Sequence, residues 1–231
     1  MTQPQPAGTG FRHFHEQLDE LKKRLLDMAT RAEELIDLAV EALSQRNSSK
    51  AEEVVRADRE LDELEVEIEQ RGIALLALQQ PMARDLRFII GAIKISSDLE
   101  RVGDHAVNIA QATLRLHDAG TSLVPASQIE DMAARARGML RDALDAFIRA
   151  DGALGRAVCQ RDDEVDALQE TVFRVLLTHM MESPSTISSA LQLLLVSRNI
   201  ERVADLATNI GEDAVYLAEG KQIKHHFDEK G

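Results

Sequence analysis

The sequence predicts an all-α fold: two tandem antiparallel three-helix bundles made of six long helices. Three observations predict it. Apolar residues recur at alternating spacings of three and four, prolines fall between those stripes, and the second half of the chain repeats the first. At 231 residues the chain can bury a substantial core, as one large domain or two small ones. Apolar residues reach 44% while aromatics are only 3%, so the core must be Leu, Ile, Val and Ala, a composition that suits helices better than sheets. A proline in a helix interior costs roughly 3 kcal/mol. Of the five present, Pro4 and Pro6 sit in the Gly/Gln/Thr-rich start, and Pro81, Pro125 and Pro184 leave long uninterrupted segments between them.

Residues 1–10 lack a charged n-region and an apolar h-region, so a disordered leader is expected there and not a signal peptide. The first helix carries the stripe Phe14, Leu18, Leu21, Leu25, Met28, Ala32, Leu35, Ala39 and Ala42. Ser49 with Glu52 forms a capping-box pattern expected to start a second helix. Its stripe runs Val54, Ala57, Leu61, Leu64 and Ile68, then Leu75 and Leu78, and Pro81 ends it. The third stripe, Ile95, Leu99, Val102, Ala106, Ile109, Thr113 and Leu116, runs out near Gly120. Ser127 with Glu130 offers a second capping box behind Pro125, opening a fourth helix over residues 127–150. A fifth is expected over residues 152–181, and a sixth opens at Ser183-Pro184 with Pro at its first position. The domains read as 11–120 and 125–220, followed by a flexible tail over 221–231.

The longest apolar runs, such as residues 88–93, fall far short of the roughly 20 residues that span a bilayer, so a soluble protein is expected. One cysteine, Cys159, cannot form an internal disulfide, which fits the cytoplasm and a small, partly buried hydrophobe. The formal charge of -13 disfavours nucleic acid and anionic lipid, whose phosphates are bound mainly by Lys and Arg, and favours cations and basic partners.

The internal repeat carries the chemistry. Residues 100–110, Glu-Arg-Val-Gly-Asp-His-Ala-Val-Asn-Ile-Ala, align without a gap with residues 201–211, Glu-Arg-Val-Ala-Asp-Leu-Ala-Thr-Asn-Ile-Gly. Upstream, Asp58 and Asp62 align with Asp162 and Asp166. Residues four apart on a helix lie roughly 6 Å apart on one face, so each motif presents two carboxylates side by side. A lone pair of this kind is ordinarily a solvated surface. Here Asp58, Asp62, Glu100 and Asp104 all flank their apolar stripes on the same rotational side, and Asp162, Asp166, Glu201 and Asp205 do likewise. In one bundle handedness four carboxylates of each half converge, which would be self-repelling without a cation. Oxygen-only ligands suit Mg²⁺, Mn²⁺, Ca²⁺ or Fe.

Asn108 and Asn209 continue the strip one turn further and either add an amide oxygen or face solvent. Asp98 points to the other flank, with Asn199 as its counterpart. His105 stands next to Asp104 but has Leu206 in the repeat, and the remaining histidines lie outside the motifs. Small residues at heptad spacing, Ser96, Gly103, Ala110 and Ser197, Ala204, Gly211, are expected to let a neighbouring helix approach closely.

Two three-helix units, each with an acidic pair on the second helix and Glu-Arg-Val-x-Asp-x-x-x-Asn on the third, resemble the PhoU family. The segment Pro81-Met-Ala-Arg-Asp-Leu-Arg87, leading into residues 97–106, is similar to that family's signature, and the likeness spans nearly all of residues 11–220. The resemblance implies a cytoplasmic negative regulator of phosphate uptake and phosphate-starvation signalling. It would couple the ATPase of a high-affinity phosphate ABC transporter to a sensor histidine kinase, reach the membrane only through these partners, and act as a homodimer. It further implies metal ions (Mg, Mn, Fe or Zn) bound through Asp58, Asp62, Glu100, Asp104, Asp162, Asp166, Glu201 and Asp205. The repeats part company where Arg84, Asp85 and Arg87 become Ser185, Thr186 and Ser188, so a docking surface on that segment would exist only once.

The rival reading is a carboxylate-rich metal store or diiron-type protein. Its hallmark is Glu-x-x-His on two helices, and no histidine in this chain has a Glu three positions before it. A bundle serving only as a scaffold is a third reading. No nucleophile constellation and no Walker-type phosphate loop occurs, so no catalysis is expected.

Overall fold

The computed structural model describes residues 8–79, 81–117 and 126–223. Among them the chain is helical throughout, with no strand. The first bundle consists of α1 (Gly8–Gln45), α2 (Ser48–Ala57) with α3 (Arg59–Gln79), and α4 (Ala83–His117). The second repeats it as α5 (Ala126–Arg149), α6 (Gly152–Cys159) with α7 (Asp162–Glu182), and α8 (Ile187–Glu219). The six expected helices are thus present, and the second of each bundle is broken into a short and a long piece. Helix α1 takes in residues 8–10 of the expected leader. Residues 1–7, the joint around Gly120 and Pro125, and residues 224–231 lie outside the described residues.

The stripes bury as their spacing demands. All nine stripe residues of α1 and all seven of α4 are buried. In the second helix Val54, Leu61, Ile68 and Leu75 are buried, but Leu78 is 75% exposed because the stripe runs past the end of the bundle.

The turn from the first helix to the second is built identically in both repeats. Arg46 and Ala150 adopt left-handed φ of 51°. Asn47 N–H then donates to Ala42 O at 2.9 Å and Asp151 N–H to Ala146 O at 2.8 Å, a six-residue helix ending that leaves few carbonyls unsatisfied. The next residue caps the following helix: Asn47 Oδ1 accepts from Lys50 N–H at 3.1 Å, and Asp151 Oδ1 from Leu154 N–H at 3.0 Å. The expected Ser49/Glu52 box is therefore corrected to a cap two residues earlier. The Ser127/Glu130 box is corrected as well: Ser127 lies inside α5, and its hydroxyl donates to Gln128 Oε1. Pro184 opens a 3₁₀ turn (Pro184–Thr186), and α8 starts only at Ile187.

The two bundles share one continuous core. Helix α4 packs against α8 and α1 against α5. Lys94 pairs with Asp213, His105 with Asn199 and Arg115 with Gln192, an order that makes α4 and α8 antiparallel. Arg141 with Glu33 and Arg137 with Asp37 do the same for α1 and α5. Phe147 is fully buried, stacks on Phe88 at 5.1 Å and lies where a Cβ on Gly91 would be. The small-residue strips do bring helices together: a Cβ on Gly155 would sit 2.6 Å from Gly211 O. Among the described residues no helix is long and apolar enough to cross a membrane.

Candidate functional site

The helix breaks put the acidic pairs in place. Asp58 separates α2 from α3, and Leu61 N–H bonds back to Asp58 O at 2.8 Å while Asp62 N–H reaches it only at 3.4 Å. Asp162 is the first residue of α7. Asp58 thus stands between the end of α2 and the start of α3, and Asp162 opens α7. Gly103 on α4 makes room: a Cβ there would lie 2.5 Å from Asp58 Oδ1 and from Leu61 Cδ1. Ala204 occupies the equivalent position in the second bundle.

The four carboxylates of the first half are near enough to act on one another electrostatically. Burial and the charges of Asp62 and Asp104 push Asp58 up to about 6. Burial together with Asp104, Glu65, Asp62 and Asp58 pushes Glu100 up to about 7. In the second half, burial with Asp205, Asp166, Glu201 and Asp163 raises Asp162 to about 6. Asp166 and Glu201 are raised too, chiefly by burial and Asp205, with Arg202 opposing. Asp58, Glu100, Asp162, Glu201 and Asp205 are half-buried, whereas Asp62, Asp104 and Asp166 are exposed.

Two acidic members were not singled out from the sequence. Glu65 lies three residues after Asp62 on the same face, and Asp163 follows Asp162; extending the pairs by one helical step would have found Glu65.

The donor set is chemically that of a hard-cation site. In the first half the repulsion acting on Glu100 has no basic residue among its causes. The side chains are near enough to repel, yet among the described residues no group of three or more His, Cys, Asp or Glu is arranged to hold a metal ion. Ligation would require the carboxylates to turn toward one another.

The second cluster differs by one arginine. Arg202 Nη1 donates to Asp205 Oδ2 at 2.6 Å, and its Nε lies 3.5 Å from Glu201. The equivalent Arg101 turns instead toward Asp98, 3.6 Å away. Asp98 is thus engaged on the other flank, as its rotational position implies.

Several neighbours have structural roles. Asn199 Nδ2 donates to Leu195 O, which fixes its amide so that Oδ1 accepts from His105 Nδ1 at 2.9 Å. His105 therefore ties the bundles together. Asn108 is exposed and Asn209 half-buried. Cys159 is half-buried, its thiol directed at Thr208 O and pushed up to about 11 chiefly by burial. The buried acidic side chain among the described residues is Asp213, which Lys94 pairs at 3.6 Å. Among the described residues no inward-facing carboxylate cage of the diiron kind occurs.

Arg84 and Asp85 line a second cleft, of about 330 Å³, with His15, Lys22 and Phe88. It lies where the ends of α1, α4, α5 and α8 meet. In the second repeat Thr186 falls in the 3₁₀ turn and its hydroxyl donates to Ser183 O at 2.7 Å.

Comparison with known proteins agrees with this architecture. The family model described as PhoU domain matches residues 25–113 and 129–214, one copy per bundle. A protein of Aquifex aeolicus named phosphate-specific transport system accessory protein PhoU homolog is 43% identical over 94% of this chain and 98% of its own length. One of the same name from Clostridium acetobutylicum is 39% identical over 91% of this chain and 96% of its own. The crystal structure of PhoU from Pseudomonas aeruginosa matches with a TM-score of 0.86 at 36% identity, over 90% of this chain and all of that one. The phosphate transport system regulatory protein PhoU from Streptococcus pneumoniae matches with a TM-score of 0.81 at 30% identity, over 90% of this chain and 98% of that one.

Proposed function

The chain belongs to the PhoU family, and from that premise we propose that it is an accessory protein of phosphate-specific transport acting as a negative regulator. In this reading it couples a phosphate ABC transporter's ATPase to a sensor histidine kinase when phosphate is plentiful, working in the cytoplasm as a homodimer and without catalysis of its own. The names of its relatives support the transport role.

The observation that carries the reading is the pair of carboxylate clusters at Asp58, Asp62, Glu100, Asp104 and at Asp162, Asp166, Glu201, Asp205. They are held at corresponding places in the two bundles and made self-repelling by partial burial. A bound divalent or trivalent cation would neutralise each cluster and supply open coordination positions. The chain's own residues place Asp58 and Asp162 at the breaks of the second helices and bring Asp58 against the bare backbone of Gly103. Mg, Mn and Fe suit this oxygen-only set better than Zn, which prefers nitrogen and sulfur.

Support for self-association comes from an exposed apolar face on the second bundle. Phe173, Leu177 and Met181 on α7 and Ile187, Leu191 and Leu195 on α8 recur every four residues and are all at least 42% exposed.

The test is deletion in the host, complemented with wild type or with the Glu100→Ala/Asp104→Ala variant. Deletion should derepress phosphate-starvation genes under phosphate excess, and wild type should restore repression. Unchanged expression on deletion refutes the regulatory role. Equal cation affinity and stoichiometry of wild type and variant in calorimetric titration removes those carboxylates from the site.

A further inference from the structure

Beside the second carboxylate cluster, with which it shares Asp205, the antiparallel crossing of α4 and α8 leaves a cleft of about 270 Å³ lined by Arg101, His105, Arg202, Asp205, Thr208 and Asn209. Liquid water occupies about 30 Å³ per molecule, so the cleft has room for a small solvated ion. Arg101 and Arg202 are the same position of the repeat, brought to one cavity by the antiparallel crossing. In a chain of net charge -13, this lining sets two guanidinium groups against one carboxylate.

A second observation points to a missing partner. Thr30, Thr113, Thr171 and Thr178 lie within helices, and each hydroxyl donates to the carbonyl four residues back. Thr208 also lies within a helix, yet its Oγ1 is buried without a hydrogen-bond partner. An unsatisfied buried hydroxyl is unfavourable, and turning the Thr208 side chain toward the cleft would let a ligand oxygen satisfy it. The first repeat has Val107 at this position, so the hydroxyl is particular to the second.

We propose that this cleft binds a tetrahedral oxyanion of the phosphate class, held between Arg101 and Arg202 with the Thr208 hydroxyl as a further partner. Guanidinium carries five N–H donors in a planar fork that matches an oxyanion's paired oxygens. Arg202 commits one nitrogen to Asp205 and holds Glu201 at 3.5 Å, while Arg101 meets Asp98 only at 3.6 Å, beyond hydrogen-bonding distance. Donors remain on both. Because the anion would sit on arginines, its binding requires no metal, which separates the site from an anion bridged to a cation on the carboxylate clusters.

The test uses the full chain stripped of metal by chelation, with radiolabelled inorganic phosphate in equilibrium dialysis. Saturable binding at one site per chain is expected, displaced by sulfate. Arg101→Gln should weaken it at least about tenfold, since it removes one of two charged clamps. Thr208→Val should weaken it several-fold, and Arg84→Gln, in the other cleft, should leave it unchanged. Arg101 is exposed, and circular dichroism with thermal melting checks that each variant keeps the fold. Absence of saturable phosphate binding by the folded wild type overturns the proposal. So does binding that appears only with added divalent cation, survives Arg101→Gln and disappears in Glu100→Ala/Asp104→Ala, a result that would assign the anion to the carboxylate clusters.

Discussion

Replacing Glu100 by Gln removes one charge from the most strained point of the first cluster while keeping the side chain's shape. Its pKa stands at about 7 against an ordinary 4.5, raised by burial and by Asp104, Glu65, Asp62 and Asp58. A carboxyl whose folded pKa lies above its unfolded one contributes stability that is complete below the unfolded value and is lost as pH rises through the folded value. In metal-free wild type, stability should therefore fall from about pH 4.5 to above pH 7 on account of this group. Fully expressed, the shift would be worth roughly 3 kcal/mol. The side chain is only half-buried, and solvent screening reduces that to roughly 1 kcal/mol. Glu100→Gln cannot ionise, so relative to wild type it should gain about 1 kcal/mol between about pH 5 and pH 8.5. With a urea dependence of about 2.5 kcal/mol/M, the midpoint difference between the proteins should widen by roughly 0.4 M over that interval. Urea titration in the presence of chelator reads this directly. Added Mn²⁺ should reverse the order at high pH, because a ligand that binds the folded state stabilises wild type more than a variant lacking one carboxylate. The same midpoint difference at both pH values would refute the electrostatic reasoning.

Gly103→Ala should gain about 1 kcal/mol of helix propensity but lose about 1–3 kcal/mol as its Cβ pushes Asp58 and Leu61 aside, so urea titration should find it neutral to about 2 kcal/mol less stable. Calorimetric titration should find its cation affinity reduced at the first cluster, because Asp58 is displaced; affinity equal to wild type would show that Asp58 is not a ligand. Phe147→Ala should cost about 3–5 kcal/mol in the same urea assay, since it empties a fully buried space between the bundles. Asp151→Ala should cost about 1 kcal/mol through its lost cap, whereas Ser49→Ala should change stability far less, because Asn47 and not Ser49 caps α2.

The bundle was legible because burial follows helical period: every stripe residue of α1 and α4 is where a 3.6-residue repeat puts it. The mutual repulsion of the carboxylates was legible for the same reason, since rotational position around a helix survives into the tertiary structure. The helix breaks at Asp58 and before Asp162 were not, because no proline or glycine marks them and the residues at the break remain helical in φ and ψ. The caps were missed because a Ser/Glu pattern two residues downstream competes with Asn47, and because Arg46 and Ala150 take a left-handed turn that glycine would have advertised. The inequality of the two clusters was present in the sequence only as the exchange of Asp98 for Asn199, whose effect on the arginines needed the structure. Both repeats carry Arg directly after the Glu, yet Arg101 turns to Asp98 while Arg202, whose counterpart of Asp98 is the uncharged Asn199, turns to Asp205. That one exchange, Asp98 for Asn199, redirects an arginine and partly neutralises the second cluster. The first cluster, left without such an arginine, should therefore be the stronger cation site and the first to fill in a titration.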